Sequence, residues 1–214
     1  ELNLLIEIVD AAYNDFEPTK ACRAISEFVQ EILSNWYVRL SRRRFWKGEY
    51  EKDKISAYQT LFECLLTISK LSSPIAPFYS DKLYKDLCNN TGIEKHESVH
   101  LSNFPVSNPI FRNLLLEQSM KKAKTITSLA LSIRKKEQIK VRQPLKKILI
   151  TVLSESERKS ILKVKDLILS EINVKEIELI DETRWAKNAL ATNFESSDDH
   201  RLVLSILSLG IQFA

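Results

Sequence analysis

The sequence predicts a mainly helical protein, a helix bundle that gives way toward its C-terminus to a small α/β piece. Three observations predict it. Up to Lys136, apolar residues recur mostly at three- and four-residue steps, the period of one face of an α-helix. Only three glycines occur in 214 residues, too few for a fold built on tight turns. After Pro144 the pattern changes to β-branched runs on either side of one helical stretch, a strand–helix–strand unit. The expected division is 1–144 for the bundle and 145–214 for the appendage.

The elements follow in order. Leu2 to about Tyr13 reads as a helix with Leu2, Leu5, Ile6 and Val9 on one side. Pro18 suits a first helical turn and Thr19 is a candidate cap, so a second helix is expected from about Lys20 to Phe45, broken by Gly48. A third spans about Lys52 to Leu71, with Ile55, Tyr58, Leu61, Phe62, Leu65 and Ile68 on its apolar face. Pro74 and Pro77 mark a corner before a fourth helix, Phe78 to Asn89. Residues 90–109 form a loop expected to pack through Val99, Leu101 and Phe104. A fifth helix, about Ile110 to Lys136, turns Ile126, Leu129, Ala130 and Ile133 inward and a stripe of Lys121, Lys124, Ser128, Ser132 and Lys135 elsewhere. LKKILITVL (Leu145 to Leu153) reads as a strand, and Ser154 with Glu157 as a capping box. The helix after it buries Ile161, Leu162, Val164, the Lys165 stem, Ile168 and Leu169, and Val174 to Ile180 is a second strand. Arg201 to Ala214 fits a final strand or a helix.

Composition narrows the function. Hydrophobic residues make up 44% and charged residues 28%, ordinary for a folded soluble protein. No apolar run is long enough to cross a membrane, and the acidic start ELNLLIEIVDAAY lacks the basic opening of a signal peptide. The chain begins without Met, as expected of a piece of a longer polypeptide. Cys22, Cys64 and Cys88 are odd in number and never in a CxxC pair, so reduced, mostly buried thiols in the cytoplasm are expected. His96 and His100 share a loop, but no Cys or carboxylate pattern completes a metal site, and none is expected.

Net charge is only +4, yet it is unevenly placed. Residues 1–38 hold two Lys/Arg against seven Asp/Glu, residues 39–54 seven against three, and residues 120–147 ten against one. The two basic stretches read either as solvated faces or as the footprint of a polyanion partner. The first, LSNWYVRLSRRRFWKGE (Leu33 to Glu49), is the more telling. Ile25, Phe28, Val29, Ile32, Leu33, Trp36, Tyr37 and Leu40 form an apolar stripe, and Arg43 and Lys47 fall seven residues after Trp36 and Leu40. The stripe therefore turns from core to cation along one helix. Guanidinium forks match phosphate oxygens and stack on bases, which makes RNA a candidate partner.

Five strings, in this order, carry a resemblance: SNWYVRLSRRRFW from Ser34, SKLSSPIAPFYSDKLY from Ser69, ESVHLSNFP from Glu97, IRKKEQIKVRQPLKKILI from Ile133 and SEINVKEIEL from Ser170. Together they resemble the anticodon-binding region of isoleucyl-tRNA synthetases, a class I aminoacyl-tRNA synthetase family. The resemblance stops near Ile180; a basic Asn-Phe-Lys segment would be expected, whereas Asn193 and Phe194 are followed by Glu195 and two serines. The implied fold is an antiparallel helix bundle of the class I synthetase anticodon-binding type with a small βαβ-like appendage. The implied function is tRNA recognition as the non-catalytic C-terminal part of an ATP-dependent isoleucine–tRNA ligase. The His-Ile-Gly-His-like and Lys-Met-Ser-Lys-Ser-like strings of the catalytic part are missing, so no catalytic residue and no cofactor is expected here; ATP and Mg belong to the parent enzyme.

The resemblance also implies partners and roles. The partners are isoleucine tRNA and the catalytic and editing domains of the same polypeptide, with no membrane. Arg39, Arg42, Arg43, Arg44 and Lys47 would grip the backbone, and Trp46 would stack on a base, while Trp36 lies on the apolar stripe and belongs to the core. Lys135, Lys136, Lys140, Arg142 and Gln143 form the second patch, with Gln143 a candidate for reading a base edge. The two clusters are expected to make one grip. Valyl- and leucyl-tRNA synthetases share the bundle and are the near alternative. A helical module that binds acidic protein surfaces is the distant one.

Overall fold

The computed structural model describes residues 1–46, 49–89, 91–181 and 202–203. It is mainly helical and falls into two compact units, 1–112 and 113–214. The first is a helical bundle of α1 (Leu2–Asn14), α2 (Pro18–Glu27), a π-helical stretch (Phe28–Val38), α3 (Arg39–Trp46), α4 (Lys52–Ser72) and α5 (Pro77–Cys88). Leu5, Ile6, Val9 and Ala12 of α1, Ala21 and Ile25 of α2, Phe28 and Leu33 of the π stretch, and Cys64, Ile68 and Leu71 of α4 form one buried core. The Tyr13 hydroxyl donates to the Leu71 carbonyl (2.9 Å) and so ties α1 to the end of α4. Pro18 opens α2 as expected, but Thr19 does not cap it; Glu17 stands at the cap position without a side-chain bond.

The helix expected from Lys20 to Phe45 is continuous from Pro18 to Trp46, with Phe28 and Arg39 both in right-handed helical geometry at the joins. Its middle is wound more widely, with bonds reaching five residues rather than four. Buried positions there fall at five-residue steps, Phe28 to Leu33 and Trp36 to Ser41.

Asp81 of α5 organises the long loop that follows. Its carboxylate accepts the Ser98 hydroxyl (2.7 Å) and the Val99 N–H (3.1 Å) and pairs with Lys85 (2.7 Å). Val99 is thereby seated against Tyr84 and Cys88. Phe104 meets Tyr13 edge-on, but Leu101 is 66% exposed and does not pack as expected. The chain then returns to α1, where Glu7 accepts from Ser107 (2.8 Å) and pairs with Arg112 (2.9 Å), and Asn3 accepts the Asn108 N–H (2.7 Å).

The second unit opens with α6 (Leu114–Lys136), later than the expected start at Ile110 because Pro109 begins a separate 3-10 turn and Asn113 caps the Leu116 N–H (3.0 Å). Strand β1 (Leu145–Val152), helices α7 (Glu155–Lys163) and α8 (Lys165–Ile172) and strand β2 (Val174–Asp181) complete the βαβ unit. The strands pair in parallel, Leu145 with Val174 and Ile150 with Leu179, which the intervening helices make possible. A two-residue strand β3 (Leu202–Val203) lies on the other side of β1, giving the order β2-β1-β3. The capping box forms as read: Ser154 accepts the Glu157 N–H (3.2 Å) and Glu157 accepts the Leu153 N–H (3.0 Å). The one expected helix is two, broken at Val164, and Leu162 is half exposed rather than buried. Most of the expected final strand or helix at Arg201–Ala214 lies outside the described residues.

By packing, the division falls between Arg112 and Asn113, not at 144. The change of period at Pro144 marks secondary structure, whereas packing follows contacts. Helix α6 packs on α7 and α8, its Lys122 pairs with Glu157 (2.7 Å), and its buried Arg134 bonds to carbonyls beyond β1. Helix α6 ends in a left-handed cap. Gln138 has φ of 57°, the Ile139 N–H donates to the Arg134 carbonyl (2.8 Å) and the Gln138 N–H to the Lys135 carbonyl (3.3 Å). Among the described residues, no helix is long and apolar enough to cross a membrane. Cys64 and Cys88 are buried as expected, but Cys22 is exposed.

Two outcomes are expected. The bonds from Lys85 and then Ser98 hold the Asp81 carboxyl down at about 2, against its ordinary 3.8. A lowered folded value means that the unfolded chain takes the proton first, so this contribution is whole above about pH 4 and is lost as pH falls through about 2. Denaturant midpoints measured across that window should drop, and Asp81→Ala should remove part of the drop. Gln138→Gly should raise stability by about 0.5–1 kcal/mol in chemical denaturation, because glycine takes positive φ without the Cβ clash.

Candidate nucleic-acid interface

The first basic patch sits at the C-terminal end of the long helix. After the widened stretch the inward phase is shifted by about one residue. Ser41 is buried and Arg44 half-buried, while Arg43, which an unbroken α-period would turn inward below Leu40, is exposed. The four arginines therefore do different things. Arg44 is taken by Asp53 at the start of α4: Nε donates to Oδ2 (2.7 Å), Nη2 to Oδ1 (2.7 Å) and to the Asp53 carbonyl (2.9 Å). A carboxylate in a first helical turn also faces the positive end of the helix dipole, so Asp53 is held from two sides. Arg39 lies over the Trp36 ring at 5.9 Å. Arg42 and Arg43 are exposed, and among the described residues neither is paired with an acid.

Aromatic contacts lock this end of the helix onto α4. The Tyr37 hydroxyl donates to the Ala57 carbonyl (3.0 Å) and the Tyr58 hydroxyl to the Phe45 carbonyl (3.3 Å). Phe45 stacks between the two tyrosines, 6.4 Å from Tyr37 and 5.1 Å from Tyr58. Trp36 is buried, as its place on the stripe predicted, and Trp46 is 79% exposed. Lys47 lies outside the described residues. Of the four arginines expected to grip a backbone, Arg44 has its fork occupied by Asp53. Asp53 was missed by sequence reasoning, and Tyr58, read there as part of an apolar face, is 44% exposed. Asp53 was legible only as an acid in a helix's first turn, and nothing in the spacing paired it with Arg44.

The second patch lies in the other unit and is described by itself. Lys135, Lys136, Lys140, Arg142 and Gln143 are all exposed. They sit at the end of α6 and on the turn 137–144, closed by the Gln143 N–H donating to the Lys140 carbonyl (3.0 Å). Beneath them is Arg134, 1% exposed. Its Nη1 donates to the carbonyls of Lys140 (3.2 Å) and Gln143 (3.1 Å), and its Nη2 to those of Ile172 (2.8 Å) and Asn173 (3.1 Å). The last two carbonyls end α8, the negative pole of that helix. Burial lowers the Arg134 guanidinium from its ordinary value. Asn173, in the left-handed region at φ of 52°, donates its side-chain amide to the Val141 carbonyl (3.0 Å). Arg134 was missed because it was counted with the solvated charges. The available signal was spacing: it follows Ala130 by four residues and Ile126 by eight, on the inward stripe.

Arg44→Ala is expected to lower stability by about 1 kcal/mol, while Arg42→Ala and Arg43→Ala stay within about 0.5 kcal/mol, in urea unfolding followed by circular dichroism. An equal cost at Arg43 and Arg44 would mean that the phase shift is wrong.

A family model for the anticodon-binding domain of tRNA ligases matches residues 1–150. The chain is similar to isoleucine–tRNA ligases: 53% identical over 84% of its length to that of Bacteroides fragilis, 54% over 86% to that of Porphyromonas gingivalis, and 37% over 83% to that of Thermus thermophilus. It spans 16%, 16% and 17% of those proteins, about a sixth of the length of the curated relatives it matches. A bundle whose long helix runs from core into exposed arginine and tryptophan, matched over most of its length by that family model, belongs to the anticodon-binding domain family of tRNA ligases.

Proposed function

We propose that the chain is the anticodon-binding part of an isoleucine–tRNA ligase and that it grips isoleucine tRNA through the basic surfaces of its two units. The observation that supports this most is identity above 50% to isoleucine–tRNA ligases over more than four fifths of the chain. On the first surface Arg42 and Arg43 meet phosphates, Arg39 holds its place over Trp36, and Trp46 offers a ring to an unstacked base. On the second, Lys135, Lys136, Lys140 and Arg142 meet phosphates and Gln143 reads a base edge. Phosphate contacts supply position and salt-dependent affinity; stacking and edge contacts supply discrimination.

Catalysis belongs to other domains of the parent polypeptide, which we place in the cytoplasm with the catalytic and editing domains as covalent partners. ATP and Mg we assign to the catalytic domain of that polypeptide. The sequence has no glycine-rich loop to cradle phosphates.

The test is a salt titration of binding between the chain and an isoleucine tRNA anticodon stem-loop, beside a stem-loop of the same length with a scrambled loop. The cognate loop should bind more tightly at every salt concentration. Arg42→Ala with Arg43→Ala should make the slope of log affinity against log salt shallower by about 1–2, as each lost phosphate contact removes roughly 0.7–0.9. Trp46→Ala should cost about 1–3 kcal/mol on the cognate loop, the stacking of one base. Equal affinity for both loops at all salt concentrations would remove base readout from this chain.

A further inference from the structure

Beneath the second patch is a buried cation that, among the described residues, has no partner of opposite charge. The Arg134 side chain is 1% exposed, and every bond recorded for its guanidinium runs to a main-chain carbonyl. Two of those carbonyls, of Lys140 and Gln143, belong to the exposed basic turn; the other two, of Ile172 and Asn173, belong to the rigid junction between α8 and β2. The planar fork is thus a bridge between a turn and a scaffold. Lysine cannot reproduce it, because an ammonium is a point charge without the fork. Asn173 repeats the connection by its own bond to Val141. An ordinary loop of this kind would be free to move, since residues 137–144 have exposed side chains apart from Ile139.

We propose that Arg134 is a positioning residue for RNA binding: it never touches the RNA, and it fixes the turn so that Lys140, Arg142 and Gln143 present a preformed surface. The proposal rests on the reading of the chain as a tRNA-binding module. Its physical content is preorganisation. A turn already held in its bound shape loses little freedom when phosphate arrives, and a released turn must be ordered at that moment.

The experiment is a double-mutant cycle on the full chain with an isoleucine tRNA transcript. Arg134→Lys keeps the charge but not the fork, and it should weaken binding about five- to tenfold. In a Lys140→Ala, Arg142→Ala background the same change should weaken binding less than twofold, because the side chains it positions are gone. Equal losses in both backgrounds would overturn the proposal and make Arg134 a purely structural residue. Thermal melts accompany each variant. Should Arg134→Lys unfold the unit, Asn173→Gly replaces it. Glycine keeps the left-handed backbone and removes only the Val141 bond, so a loss of affinity coupled in the same way supports the bridge and an additive loss overturns it. Failure of the underlying reading looks different. In that case Lys140→Ala with Arg142→Ala would leave affinity and salt slope unchanged in the otherwise native chain.

Discussion

The constraint on which this chain turns is that a single helix must be core at one end and cation at the other. An α-helix with one apolar stripe carries that stripe along its whole length, so the arginines that follow would be dragged inward with it. The widened winding over Phe28–Val38 prevents this. It shifts the phase so that Ser41, small and nearly apolar in cost, takes the buried place, and Arg43 turns out. Such widenings are rare and concentrate where a helix does something besides pack. Of Arg42, Arg43 and Arg44, the half-buried one is Arg44, and it is met by an acid on the next helix.

A second form of the same problem appears in the α/β unit. There a guanidinium is buried outright, which costs several kcal/mol unless its donors are met. Carbonyls of a helix end and of a turn meet four of them, each charge-assisted bond returning about 1.5–3 kcal/mol. A carboxylate would have satisfied the charge as well, but it would also have cancelled the positive field of the surface above it. Carbonyls meet the donors of both terminal nitrogens, leaving Nε–H without a partner, and keep the net charge of the patch intact.

The fold was largely legible because it rests on period. The switch at Pro144, the capping box at Ser154 and the parallel strands all follow from local pattern, and each is found where the pattern put it. What was not legible depends on partners distant in sequence. Leu101 and Leu162 are apolar yet 66% and 50% exposed, so hydrophobicity alone placed them inward wrongly. The packing division at Arg112 was not visible because α6 has the same period whether it packs on a bundle or on α7 and α8. In the candidate site, Trp36 and Trp46 were told apart correctly by their position on the stripe. Arg44 and Arg134 were not told apart from their neighbours, since a charge run in a sequence looks uniformly solvated. Only the phase of a helix distinguishes a cation that holds the protein from one that is held out to a ligand.

That distinction explains how a chain of net charge +4 can serve a polyanion. Exposed like charges about 4 Å apart repel by about 1 kcal/mol in water, and salt screens them beyond about 8–10 Å. Arg42 and Arg43 stand exposed near the C-terminal end of their helix, and no acid among the described residues pairs with either. Elsewhere acids pair with cations inside each unit: Asp53 with Arg44 and Glu7 with Arg112 in the first, Glu157 with Lys122 and Glu178 with Lys147 in the second. In those places a charge holds the fold together. A polyanion meeting a surface of exposed cations releases the counterions condensed on it, which is why affinity there would depend steeply on salt.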